Sequence, residues 1–175
     1  MHIFNAGLMT AVLLMMGPNV SAQSHPTSAL PPAPFSFSGR WQCQGVFRAG
    51  KPHEATYNGD VVLGGKWLEL TEVDTVPATG YSAKYLIGVD TEHGQLVEFD
   101  ANTFAAATYT SLEGWVGPVL TMTSPVSQNP QAPYAMNRFL YSVTAQDAFT
   151  VDWQISKTSE PHWVTADHLA CKRFS

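Results

Sequence analysis

The chain has 175 residues, of which 45% are hydrophobic, 11% are aromatic and only 13% are charged, and its formal net charge is −5. This length suits one domain with a sizeable core, and the many aromatic and few charged residues exclude a disordered chain. The nine basic residues form no cluster. The composition therefore excludes a surface for nucleic acid or for an anionic membrane.

Residues 1–22 have the features of a cleaved signal peptide. An apolar run at residues 6–16 is followed by a Gly-Pro breaker and by the small residues Val20, Ser21 and Ala22, so cleavage is predicted before Gln23. The run is too short for a stable membrane anchor. The segment before it departs from the usual pattern because it has no Lys or Arg. We expect a periplasmic or secreted protein.

Residues 23–36 contain four prolines and show no hydrophobic period. This composition predicts a flexible or polyproline-like tether that lies outside the core. The folded domain is then expected to span residues 37–175.

From residue 37 onward, short alternating runs are broken by Gly, Asn and Pro at intervals typical of an antiparallel barrel or sandwich. Hairpin-length turns between successive runs favour an up-and-down order over Greek-key crossings. The sequence therefore predicts an all-β, antiparallel up-and-down barrel of about ten strands. The predicted strands cover residues 39–47, 53–63, 66–74, 81–90, 95–100, 104–112, 115–123, 136–144, 149–157 and 162–174.

The two cysteines, Cys43 and Cys171, fall near opposite ends of the folded part of the chain. An exported protein with a single pair of cysteines usually forms a disulfide, and neither residue has metal-ligand or Cys-x-x-Cys spacing. In an up-and-down barrel the first and last strands are neighbours. We therefore predict a Cys43–Cys171 disulfide between them.

Several short motifs, in this order, resemble one family. The run SGRWQCQG at residues 38–45 is similar to the Gly-x-Trp first strand of lipocalin-like (calycin) barrels, and more narrowly to bacterial DUF1579-type secreted proteins. The runs LGGKWL at 63–68, LIGVD at 86–90, SLEGWVGPVLT at 111–121 and LACKR at 169–173 resemble later motifs of that group. The resemblance implies a lipocalin-like barrel, and it implies no agreed activity.

A more distant resemblance is to nitrobindin-type haem barrels, which also begin with Gly-x-Trp and carry a haem-ligating His near the end of the last strand. His168 stands near that position. Strand alternation, however, puts His168 on the opposite face from Cys171, while Trp41 shares a face with Cys43. We therefore expect no haem and no other cofactor or metal.

Seven aromatic residues lie on separate predicted strands and are the candidate lining of a ligand pocket. Directed inward, they would either fill the barrel or line a cavity for a small apolar ligand. The set consists of Trp41, Trp67, Tyr85, Phe99, Tyr109, Trp153 and Trp163. A small hydrophobic or amphiphilic ligand is the favoured partner.

Two other classes of function stay open. Glu72 and Asp74 share a strand face and could form an acid/base pair of an enzyme at the barrel mouth, although a polar outer face explains them equally well. No nucleophile elbow, zincin motif or phosphate loop accompanies them. The third possibility is a filled barrel that binds a partner in the envelope through the loop at residues 124–135.

Overall fold

The computed structural model describes residues 25–174, and the predicted signal peptide lies outside this range. The described chain is all β-structure and contains no helix. Its strands are β1 (Gly39–Phe47), β2 (Pro52–Val62), β3 (Trp67–Val76), β4 (Ser82–Asp90), β5 (Gln95–Asn102), β6 (Ala106–Ser111), β7 (Trp115–Val116), β8 (Val119–Thr123), β9 (Met136–Ala145), β10 (Ala148–Ser156) and β11 (Val164–Arg173).

The strands form one antiparallel sheet in the order β6-β5-β4-β3-β2-β1-β11-β10-β9-β8-β7, and the pairing of β6 with β8 closes it. Ten strands thus make the barrel, as predicted, while the two-residue β7 pairs only with β8. The predicted strand at 115–123 is divided because Gly117 has a left-handed φ of 57° and Pro118 has no amide hydrogen for the ladder.

The barrel closes along the predicted seam between its first and last strands. Cys43 pairs directly with Cys171 across β1 and β11, and the two buried residues form a disulfide. Two positions along β1, the backbones approach so closely that a Cβ on Gly45 would lie 1.7 Å from the carbonyl oxygen of His168. Glycine at this position is therefore required by the seam itself.

The prediction that residues 23–36 lie outside the core is wrong for the part that the structure describes. Ala29 and Phe35 are buried, and the Trp115 indole donates a hydrogen bond to the Ala29 carbonyl oxygen at 3.1 Å. Proline restricts the backbone but does not stop neighbouring apolar side chains from packing. Phe35 and Phe37 enter the core as an alternating pair, with ring centroids 4.9 Å apart.

This N-terminal segment gives the barrel two different ends. We call the end that it covers the closed end; it carries the turns at residues 63–66, 91–94 and 146–147. Here Phe35, Phe37, Trp41 and Phe149 form an aromatic cluster in edge and stacked contacts. The other end, which we call the open end, carries the turns at 48–51, 77–81, 103–105 and the long loop at 124–135.

Candidate functional site at the open end of the barrel

Acidic side chains lie inside the barrel because the inward-facing positions of two strands change from leucine to acidic residues along the strand. On β3, Leu68 and Leu70 are buried inside the closed half, and the next residue of the same face is Glu72. On β5, Leu96 is followed on its face by Glu98 and Asp100. All three carboxyl side chains are buried in the open half.

Glu72 sits at the end of a chain of hydroxyl groups. The Tyr85 hydroxyl donates to Glu72 Oε2 at 2.6 Å, and the Tyr81 hydroxyl lies 3.0 Å from that of Tyr85. Burial raises the pKa of Glu72 to about 7, although the hydrogen bond from Tyr85 works in the opposite direction. The carboxyl therefore changes its protonation state near neutral pH, at the inner end of a path that begins at the half-buried Tyr81.

Glu98 is the most deeply buried carboxyl of the site, with none of its surface exposed. Its Oε2 accepts a hydrogen bond from the Tyr141 hydroxyl at 3.3 Å, whereas its Oε1 is buried and has no hydrogen-bond partner within residues 25–174. Burial, with a further contribution from the charge of Asp100, raises the pKa of Glu98 well above its usual range. A folded barrel gains nothing from an unpaired buried oxygen.

Asp100 is the third carboxyl and lies nearer the rim. It accepts hydrogen bonds from the side-chain amide of Asn102, at 3.0 and 3.2 Å to its two oxygens. Burial raises the pKa of Asp100, and these bonds from Asn102 work in the opposite direction. Its partner across β5 and β6 is Ala107, so a small side chain faces it from the neighbouring strand.

Tyrosine side chains form the walls around these carboxyl groups. Burial and the negative charges of Glu72 and Glu98 raise the pKa values of Tyr57, Tyr85 and Tyr141 well above the usual tyrosine value. These phenols therefore stay neutral and serve as hydrogen-bond donors. Their rings supply apolar surface beside the acidic groups.

His53 joins three strands at the edge of the site. Its Nε2 lies 2.9 Å from Asp74 Oδ1, and its Nδ1 lies 2.9 Å from both oxygens of Asp167. Burial works to lower the pKa of His53, but the hydrogen bonds and charges of Asp167 and Asp74 raise it to about 9. At neutral pH, a protonated imidazole thus bridges two carboxylates and stacks on Phe47 with centroids 4.3 Å apart.

Within residues 25–174, His53 also belongs to a cluster of possible metal ligands. One ligand atom each from His53, Glu72 and Asp74 lies within 4.8 Å of the others. Both ring nitrogens of His53 already bond to carboxylates, and its raised pKa keeps them protonated at neutral pH. A metal ligand has to be a neutral imidazole, so the arrangement fits an ion pair better than a metal centre.

The structure divides the seven predicted pocket aromatics between the inside and the outside of the barrel. Four point inward, namely Trp41 in the closed half and Tyr85, Tyr109 and Trp153 in the open half. The inward placement predicted for the other three, Trp67, Phe99 and Trp163, is wrong. Trp67 stacks on Phe99 over the outside of Gly88, and Trp163 lies beneath the Arg138 guanidinium.

Strand parity explains these corrections. On β5, Phe99 shares the outer face with Val97 and is 48% exposed, while Glu98 and Asp100 take the inner face. In the run LVEFD, Val97 and Phe99 make one face wholly apolar while two acids lie on the other, so hydrophobicity alone favours the wrong face. The clue in the sequence is Leu96, which is buried and shares its face with the two acids.

His168 lies on the outer surface, as its alternation with Cys171 predicts. Its Nδ1 lies 2.7 Å from Asp152 Oδ1, and both side chains are partly exposed. Trp41, by contrast, is buried inside, where its indole donates to the Phe37 carbonyl oxygen at 2.7 Å. The two residues that carry the nitrobindin resemblance thus face opposite sides of the barrel wall.

No protein-family model matches the chain, and no curated protein matches its sequence. The fold and site therefore define the class by themselves: a closed, ten-stranded up-and-down barrel, fastened by a disulfide between its first and last strands, with acids and tyrosines buried at one end. A disulfide is compatible with an oxidising, exported location. Within residues 25–174, no helix is long and apolar enough to span a membrane.

Proposed function

We propose that this chain is an exported, DUF1579-type lipocalin-like protein that binds a small amphiphilic ligand in the open half of its barrel. The observation that carries the proposal is the burial of Glu72, Glu98 and Asp100 inside one half of the barrel, on strand faces that are apolar in the other half. The tyrosine-lined walls offer such a ligand apolar contact, and the acids and phenols offer it hydrogen bonds.

Burying three carboxyl groups costs stability, since each must either stay protonated or carry a charge in a low-dielectric interior. Leu68, Leu70 and Leu96 show that the same strand faces accept apolar residues elsewhere. A fold selected for stability alone would continue that pattern to the open end. Perturbed, buried titratable groups gathered in one place are typical of functional sites.

The arrangement of the two ends limits where a ligand binds. The aromatic cluster and the N-terminal segment fill the closed end, so we place the ligand in the opposite half. At the open end, half-buried Tyr134 and Trp153 meet edge to face, with ring centroids 5.7 Å apart. They supply an apolar surface beside the acids, which favours an amphiphilic ligand over a purely apolar one.

Native mass spectrometry of protein purified from its own host tests this proposal, because a bound small molecule adds a defined mass that disappears on denaturation. Ala107→Trp, on the inner face beside Asp100, should abolish the added mass. Thr108→Trp, on the outer face of the same strand, is the matched control and should keep it. A folded wild-type protein that carries no added mass and binds no amphiphilic probe would contradict the proposal.

A second candidate function is acid/base catalysis by Glu72, the alternative that its pKa of about 7 favours. A general base works best when its pKa is near the working pH, and the Tyr81–Tyr85 hydroxyl chain offers a route for the proton. In this case the barrel would turn over its ligand rather than hold it. A released product that is formed by wild type and not by Glu72→Gln, both incubated with the co-purified molecule, would favour the enzyme.

A further inference from the structure

We infer that the ligand of the open end is an organic cation, a primary or secondary amine on an apolar body, and that Glu98 and Asp100 bind its ammonium group. This inference rests on the proposed function and names the chemical class of its ligand.

The open half holds more acidic groups than basic ones. Its five inward carboxyl groups are Glu72, Asp74, Glu98, Asp100 and Asp167, and its basic group is His53. His53 already forms ion pairs with Asp74 and Asp167. Within residues 25–174, no Lys, Arg or His nitrogen lies within 4.0 Å of a Glu72, Glu98 or Asp100 oxygen. Burial raises the pKa values of Glu98 and Asp100, so an ammonium group would favour their ionised forms, whereas an anionic ligand would oppose ionisation.

Glu98 offers a carboxyl oxygen that can accept a bond from an ammonium group once the carboxyl is ionised. Among residues 25–174, its Oε1 has no hydrogen-bond partner, whereas its Oε2 accepts a bond from the Tyr141 hydroxyl. Asp100, two residues along the same inner face, accepts side-chain hydrogen bonds from Asn102. An ammonium group has three N–H donors, enough to reach the free oxygen of Glu98 and the neighbouring carboxylate together.

Aromatic rings stand on the other sides of these carboxyl groups. Tyr109 is the direct cross-strand neighbour of Glu98, and its ring centroid lies 5.2 Å from that of Phe139. Tyr85, the cross-strand neighbour of Asp100, lies 5.5 Å from Phe139. Carboxylates framed by the rings of tyrosine and phenylalanine favour an organic cation, since ring faces attract ammonium groups and the apolar body contacts the same rings.

Isothermal titration calorimetry of the mature protein with matched probes tests the inference. The probes are 2-phenylethylamine, hexylamine and tryptamine, each beside the alcohol and the carboxylate of the same skeleton. We expect at least one amine to bind at least about tenfold more tightly than its alcohol, and the carboxylates to bind more weakly still. A tenfold ratio corresponds to about 1.4 kcal/mol.

Two variants locate the preference. Glu98→Gln with Asp100→Asn should remove the amine-over-alcohol ratio while alcohol binding persists, because each amide keeps the size of the side chain and one acceptor oxygen but cannot carry a negative charge. Asp152→Asn, which removes a carboxylate from the outer face, is the matched control and should leave the ratio unchanged. A thermal unfolding scan of each variant confirms that it is folded.

The possible outcomes separate this inference from the proposed function. Alcohols or carboxylates that bind as tightly as the amines would overturn the cation and leave ligand binding in place. An amine preference that survives the double variant would overturn the assignment to Glu98 and Asp100. If no probe of any charge binds, both the inference and the proposed function are wrong.

Discussion

The two ends of this barrel are built from the same strands and differ in almost every other respect. In the closed half, β3 and β5 turn Leu68, Leu70 and Leu96 inward, and aromatic rings fill the space between them. In the open half, the same faces turn Glu72 and Glu98 inward. One strand can thus contribute to the stable core at one end and to the candidate site at the other.

The closed end also offsets the stability that is lost at the open end. Buried carboxyl groups and an unpaired oxygen lower stability, so the rest of the barrel has to offset them. The aromatic cluster, the N-terminal segment and the Cys43–Cys171 disulfide all stabilise the closed end or the seam. Tyr57 links the halves, because its ring lies 6.1 Å from Phe149 and the charge of Glu72 influences its hydroxyl.

The largest effect is expected from truncating the centre of the closed end. Phe149 contacts Phe37 and Trp41 with ring centroids 4.9 Å apart in both cases, so Phe149→Ala leaves a cavity among rings that cannot collapse. We expect a loss of roughly 3–5 kcal/mol in the free energy of unfolding by chemical denaturation. Trp153→Ala, which truncates a half-buried residue at the open end, should lower the free energy of unfolding by clearly less. Equal losses would contradict the proposed difference in packing between the two ends.

Removal of the disulfide should cost somewhat less. The bond closes a loop with a sequence separation of 128 residues, for which chain-entropy estimates give about 4–5 kcal/mol and measured losses of native disulfides give roughly 2–5 kcal/mol. We expect a loss in this range for the double variant Cys43→Ala, Cys171→Ala, measured by urea denaturation. A loss under about 1 kcal/mol would show that the seam is held by its hydrogen bonds and packing alone.

The buried carboxyl of Glu72 at the open end should make the stability of the protein depend on pH. The pKa of Glu72 is about 7 in the folded protein and 4.5 ordinarily, so the folded state binds more protons between these values, and stability falls as pH rises from 4.5 to 7. The fall attributable to Glu72 should be on the order of 3 kcal/mol. Unfolding of wild type and Glu72→Gln at pH 4.5 and pH 8 should reveal it as a difference between their pH dependences. Parallel dependences would refute the raised pKa.

The raised pKa of His53 affects stability in a higher pH range than that of Glu72. With a folded value of about 9 against 6.5 ordinarily, its stabilisation is complete below pH 6.5 and is lost as pH rises through 9. His53→Gln should therefore flatten the stability profile between pH 7 and pH 9. An NMR titration of the imidazole checks the same point directly, and a midpoint at or below 6.5 would contradict the ion-pair bridge.

The smallest effect is expected on the outer face. Phe99 is 48% exposed and stacks on Trp67 outside the barrel, although its strand carries Glu98 and Asp100 inside. Phe99→Ser should change the unfolding free energy by no more than about 1 kcal/mol and should not alter ligand binding. A strong effect on binding would mean that the functional surface is the outer wall rather than the interior.

Much of the fold could be predicted from local sequence patterns. The turns and alternating runs gave the up-and-down barrel, and the position of Cys43 and Cys171 on the first and last strands gave the seam. The role of the N-terminal segment could not be predicted, because nothing local shows that Phe35 finds a partner in Phe149, far along the chain.

The candidate site was predictable only in part. Glu72 and Asp74 were correctly grouped on one strand face, but strand period alone does not say which face of a strand such as β5 turns inward. Phe99 was predicted to point inward, but the register of β5 against its neighbours places Phe99 outside and Glu98 inside. His53 meets Asp167 only because β1 brings β2 and β11 together.

The most direct test of the account is the free energy of unfolding of Glu98→Gln relative to wild type at pH 8, measured by chemical denaturation. Glu98 serves the ligand and not the fold if the proposal is right, since its Oε1 is buried without a partner among residues 25–174. Glutamine keeps the size and can still accept the bond from Tyr141, so the variant should be at least as stable as wild type. A loss of about 2 kcal/mol or more would contradict the account, because Glu98 would then be part of what stabilises the barrel.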